Sequence, residues 1–97
     1  MGAEDKAHLH VVLRGRVQGV NFRRFVMEKA TLLELRGTVG NLPNGMSLEV
    51  HAEGPRKGLE ALLEHLRRGP HGALVTEVVE ERSRFTGDYK DFTSSHP

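Results

Sequence analysis

The chain has 97 residues and a mass of 10.8 kDa, the size of one small domain with a single core. Lys+Arg 14 against Asp+Glu 13 leaves a formal net charge of +1, too little basic excess for a general nucleic-acid or anionic-membrane binder. Cysteine is absent, which excludes disulfide scaffolds, thiolate nucleophiles and cysteine-ligated metal centres.

No apolar run approaches the ~20 residues of a membrane span. The start, Met1-Gly2-Ala3-Glu4-Asp5-Lys6, lacks the basic-then-apolar layout of a secretory signal, so a cytoplasmic protein is expected. One domain is expected over 1–97, with a core over about 8–92, a polar leader at 1–7 and a loose tail at 93–97.

From His8 to Arg14 the chain alternates, with Leu9, Val11 and Leu13 on one side and His8, His10 and Val12 on the other, the pattern of a half-buried strand. Two glycines break it over 15–21. From Phe22 the period becomes helical: Phe22, Val26, Ala30 and Leu33 recur, widened by Phe25 and Leu32, so a helix is predicted over roughly 22–34 with Asn21 as its N-cap. A short strand follows over 37–42. Asn44-Gly45 then signals a tight type I′ hairpin. Met46, Leu48, Val50 and Ala52 alternate with Ser47, Glu49, His51 and Glu53 in the cleanest strand of the chain. Pro55 is expected at the first position of a second helix, striped by Leu59, Leu62, Leu63 and Leu66 and ended by Gly69-Pro70. Residues 74–84 form a last strand. Val75 and Val78 differ in parity there, which predicts a bulge or a late strand start; the charge run from Glu77 to Arg84 reads as a solvated face.

The order β-α-β-β-α-β suits an α+β, ferredoxin-like two-layer sandwich, with an antiparallel sheet in the order 4-1-3-2 and both helices on one face. In that topology strands 1 and 2 run the same way and end at the same sheet edge, about two strand spacings (~10 Å) apart. The loop after strand 1 and the residues around Asn41 then face one another.

Gly15-Arg16-Val17-Gln18-Gly19-Val20-Asn21 leads directly into a helix start. Such a loop lets successive N–H groups converge into an anion nest, and the helix start adds further free donors and partial positive charge. Arg23, in the first turn, opposes the helix dipole, so it makes sense as a bidentate clamp on an oxyanion. Arg24 lies ~100° round the helix and is expected to face solvent. Read locally, these residues fit equally a tight turn with incidental arginines, and Asn41 fits a turn cap as well as a carboxamide that holds water.

The stretch from Gly15 to Arg23 resembles the acylphosphatase motif G-x-V-Q-G-V-x-F-R, and Gly37-Thr38-Val39-Gly40-Asn41-Leu42-Pro43-Asn44-Gly45 resembles that family's second motif. The resemblance runs over about 8–85. It implies a metal-free enzyme without cofactors that hydrolyses a small-molecule acyl phosphate to carboxylate and inorganic phosphate. It also implies that Arg23 and Asn41 are the catalytic pair. Gly15, Arg16, Val17, Gln18, Gly19, Val20, Asn21 and Arg23 would bind the phosphoryl group, and Asn41 would orient water. Phosphate is expected as product and inhibitor and the protein as a monomer, with no nucleic-acid or membrane partner. Thr38 stands where that family has an aromatic residue, and Glu34 where glycine is frequent, so the first helix is expected to end differently.

Six histidines raise the question of a metal. His8 and His10 share a strand face, but the sequence places no third ligand, and surface histidines are the expectation. An RNA-binding module on the same fold would need stacking rings on the sheet; the exposed strand positions here are His8, His10, Ser47, Glu49 and His51. A regulatory module of the same fold remains a third reading.

Overall fold

The computed structural model describes residues 5–95. Strand β1 (Lys6–Arg16) leads to helix α1 (Phe22–Leu32); β2 (Arg36–Asn41) and β3 (Ser47–Pro55) follow, then helix α2 (Arg56–Arg68), β4 (Leu74–Arg84) and β5 (Phe92–Ser94). The sheet order is β4-β1-β3-β2-β5. β1 runs antiparallel to both β3 and β4, and β2 antiparallel to β3. The predicted 4-1-3-2 order and α+β ferredoxin-like class are therefore present.

One edge corrects the expectation of a wholly antiparallel sheet. Residues 92–94, the last two of them expected in the loose tail, pair parallel to β2 from Gly37↔Phe92 to Val39↔Ser94. Ser95 then donates its N–H to the Val39 carbonyl at 2.8 Å. Without this segment β2 would present an open row of backbone donors and acceptors, which a short covering strand satisfies. At the other end β1 already includes Lys6 and Ala7; Met1–Glu4 and the last two residues lie outside the described part.

The alternation of β1 decides its faces as predicted. Leu9, Val11 and Leu13 are fully buried under the helices with Val39, Leu48 and Val50. Helix α1 covers β2 and β5; α2 covers β1, β3 and β4. The bulge predicted in β4 falls at Thr76, where the register jumps from Arg14↔Glu77 to Gly15↔Val75. β4 is an edge strand, and its charges pair mainly with α2: Arg67 donates to Glu80 at 2.8 Å and Arg82 to Glu60.

Three local readings need correction. Pro55 closes β3 and precedes α2 rather than opening the helix. The hairpin is not type I′, because Gly45 has a left-handed φ of 81° but Asn44 does not. Pro43 and Asn44 instead occupy the centre of a Leu42–Gly45 turn, and the Asn44 side chain accepts the Met46 N–H at 2.9 Å while donating to Ser47 Oγ at 2.8 Å. This bond draws Ser47 inward, so Ser47 is buried rather than exposed. The end of α1 is conventional after all: Glu34 N–H bonds the Thr31 carbonyl and Leu35 N–H the Ala30 carbonyl, with Glu34 itself in the left-handed region at φ 59°.

Candidate active site

The loop after β1 is shaped by backbone requirements. Gly15 has φ 128°, and a Cβ there would lie 2.1 Å from the Leu74 carbonyl at the bulge. Its N–H is engaged by the Met46 carbonyl at 3.1 Å. Arg16 continues the ladder opposite Leu74. Val17 is buried and anchors the loop in the core. Gln18 points back and donates to the carbonyls of Leu42 and Ser47, both at 2.9 Å, tying the loop to the base of the hairpin beside Asn41. Gly15, Arg16, Gln18 and Val20 thus hold the loop, and none of them lines the cleft described next.

Gly19 and Asn21 take left-handed φ values of 74° and 66°. Left-handed residues alternating with ordinary ones turn consecutive N–H groups inward, the geometry of an anion nest. Among the described residues no protein acceptor receives the N–H groups from Val17 to Asn21. The first turn of α1 contributes further free donors. Asn21 is the N-cap residue, as expected, but it makes no side-chain cap bond.

Val17, Gly19, Asn21, Arg23, Asn41 and Ser94 line one cleft of about 1010 Å³. Arg23 is half-buried in it, and among the described residues its guanidinium makes no ion pair. Its neighbour Arg24 is exposed on the rim and lies 3.6 Å from Glu28, an i,i+4 pair. Asn41 ends β2 opposite Leu48, half-buried, with its amide free of protein hydrogen bonds among the described residues. The one carboxylate on the cleft wall, Glu28, is held by Arg24. The far wall is apolar: Met27, one turn beyond Arg23, and Leu32, which is 77% exposed. Sequence reasoning assigned Leu32 to the core stripe and overlooked Met27, whose i+4 spacing from Arg23 was the available signal. Ser94 carried no local signal, because it reaches the cleft only through the pairing of β5 with β2.

Backbone amides, a guanidinium and a carboxamide that have no protein partners among the described residues are groups that can hold an oxyanion. The acylphosphatase family model matches residues 9–94. An acylphosphatase of Geotalea uraniireducens is 42% identical over 87 residues, 90% of this chain and 94% of that protein. The structure of an acylphosphatase from Coxiella burnetii superposes with a TM-score of 0.89 at 37% identity, covering 98% of this chain and 100% of that one. That of the Bacillus subtilis acylphosphatase gives 0.88 at 32% identity, covering 92% and 98%. The chain belongs to the acylphosphatase family, enzymes that hydrolyse small-molecule acyl phosphates.

Proposed function

We propose that the phosphoryl group of the acyl phosphate sits in the nest formed by the 17–21 amides and the first turn of α1, gripped by Arg23, while Asn41 holds the attacking water in line. The observation that carries this reading is the run of backbone N–H groups from Val17 to Asn21 that no protein acceptor receives among the described residues, beside a cleft that holds Arg23, also without an ion pair among those residues. Water attacks phosphorus, the bond from phosphorus to the acyl oxygen breaks, and its electron pair leaves with the carboxylate. The proton of the water passes to a phosphate oxygen. A carboxylate is a good leaving group, so no strong general acid is required. Positioning and charge stabilisation supply most of the acceleration in such a loose transition state. The acyl portion extends along Met27 and Leu32. Inorganic phosphate, which retains the gripped part of the substrate, inhibits competitively. The chain acts as a single cytoplasmic domain, monomeric and without a cofactor.

The test is a division of labour. Hydrolysis of benzoyl phosphate is followed optically, with phosphate affinity measured separately by calorimetry. Asn41→Ala is expected to leave phosphate affinity within twofold and to lower kcat by roughly 10²-fold or more. An Asn41→Ala enzyme with normal kcat overturns the water-holding role, and loss of wild-type activity in EDTA would replace this reading with a metal-dependent one.

A further inference from the structure

The sheet face turned away from the helices carries a cluster that the hydrolytic cleft does not use. His8 and His10 come from β1, and Glu49, His51 and Glu53 from β3, with His10 directly opposite His51. The His10 and His51 rings are stacked, 4.3 Å between centroids and 5° from parallel. His10 Nε2 lies 2.7 Å, and His51 Nε2 3.7 Å, from the same oxygen of Glu49. We propose that His10, Glu49 and His51 form a zinc site on the open face of the sheet.

Two imidazoles and a carboxylate are a donor set for a borderline divalent ion such as zinc, with a fourth position left for water. Tetrahedral bonds of ~2.0–2.1 Å place neighbouring donor atoms about 3.3 Å apart. The two observed separations from the Glu49 oxygen, 2.7 and 3.7 Å, straddle that value. All three ligand atoms lie within 4.8 Å of one another, so small side-chain rotations close the site. The three side chains are about a third exposed and open to an incoming ion. Thr38, paired with His51 on the neighbouring strand, is short enough to leave that ring uncovered.

A second observation concerns the tautomer. Glu53 is 2% exposed and accepts from His8 Nδ1 at 2.6 Å, from the Thr86 N–H and hydroxyl, and from the Gly87 N–H. With neutral rings, His8 Nδ1 must be the donor, so its Nε2 accepts from His51 Nδ1 at 3.0 Å. That leaves the lone pair of His51 on Nε2, the nitrogen beside Glu49. A carboxylate–histidine pair that orients a ligand histidine is the outer-shell arrangement of zinc sites. His10 has no outer hydrogen bond of this kind, its Nδ1 lying 3.9 Å from Glu81; its Nε2 donates to Glu49 at 2.7 Å and would give up that proton to an incoming ion. The metal reading left without a third ligand in the sequence acquires one through strand register.

The test is calorimetric titration of the full chain with zinc chloride. One equivalent is expected to bind, with affinity at least tenfold weaker in each of His10→Ala, His51→Ala and Glu49→Gln. His71→Ala, an exposed histidine on the turn after α2, should match wild type. Co²⁺ added to the wild-type chain should give the intense visible bands of a tetrahedral site; this readout does not depend on any variant folding. Absence of saturable zinc binding, only the weak bands of octahedral Co²⁺, or ligand variants that bind like His71→Ala would overturn the site.

Discussion

The cleft beside α1 and the open face of the sheet treat polar groups in opposite ways. On the sheet face the buried Glu53 is fully matched: every donor aimed at it finds an oxygen, and each of those bonds joins separate segments of the chain. In the cleft, backbone donors, a guanidinium and a carboxamide are without protein partners among the described residues. Matched buried groups support the fold, because removing one strands the others at ~1–3 kcal/mol each. Unmatched groups in a concavity contribute nothing to the fold and await a ligand.

The sharpest break in this contrast is Arg23→Gln. It should lower kcat/KM for benzoyl phosphate by about 10³-fold, near 4 kcal/mol of transition-state stabilisation, and abolish phosphate binding. Stability should be unchanged or slightly raised, since Arg23 is a cation at a helix N-terminus with no ion-pair partner among the described residues. Thermal melts beside kinetics check both halves. A loss above ~1 kcal/mol of stability would make Arg23 a structural residue and erase the distinction.

Glu53→Gln probes the opposite region. An amide cannot accept at both oxygens, so about 2–3 kcal/mol of stability should disappear at neutral pH. The folded fraction should retain wild-type turnover. The pH dependence sharpens the point. Burial pushes the Glu53 carboxyl up, but hydrogen bonds from His8, Thr86 and Gly87 outweigh it and hold the group below the ordinary value of 4.5. The stability it contributes is therefore complete above that value and drains away as pH falls through the lower folded one. His51 is also lowered, by burial first and then by His10, against the opposing pull of Glu49. Stability consequently begins to fall below the ordinary histidine value of 6.5, before Glu53 titrates. Chemical denaturation between pH 3 and pH 8 should show both stages in wild type and a diminished lower one in Glu53→Gln, where Glu60 and Glu80, held low by hydrogen bonds from Arg82 and Arg67, still titrate.

What was readable in the sequence follows the range of the interactions. The segment from Gly15 to Arg23 is contiguous, so its glycines, its helix start and its arginine were visible together. The β1 faces followed from Leu9, Val11 and Leu13, and the β4 bulge from the parity of Val75 and Val78. Features set by distant pairing were not visible. Ser94 reaches the cleft because β5 caps the exposed edge of β2. The type I′ reading of Asn44-Gly45 failed because Gln18, far away in sequence, bonds the carbonyls of Leu42 and Ser47 and so fixes where the hairpin closes.

The smallest expected effect lies between the two regions, where α1 ends. Glu34 completes the helix-ending hydrogen bonds at φ 59°, a conformation that costs a residue with a Cβ roughly 1–2 kcal/mol. Glycine removes that strain but loses ~0.5–1 kcal/mol to the greater freedom of the unfolded chain. Glu34→Gly should therefore gain about 0.5–1 kcal/mol, a rise in Tm of about 4 °C for a chain of this size. Glu34 is exposed and lines neither the cleft nor the histidine face, so turnover and zinc affinity should not move. Paired melts of Glu34→Gly and Glu34→Ala separate the causes. If relief of the left-handed strain is the source, alanine, which keeps the Cβ, gains nothing. If both variants gain equally, the benefit comes from removing the glutamate charge near the helix C-terminus, where an anion opposes the dipole, and the strain argument fails.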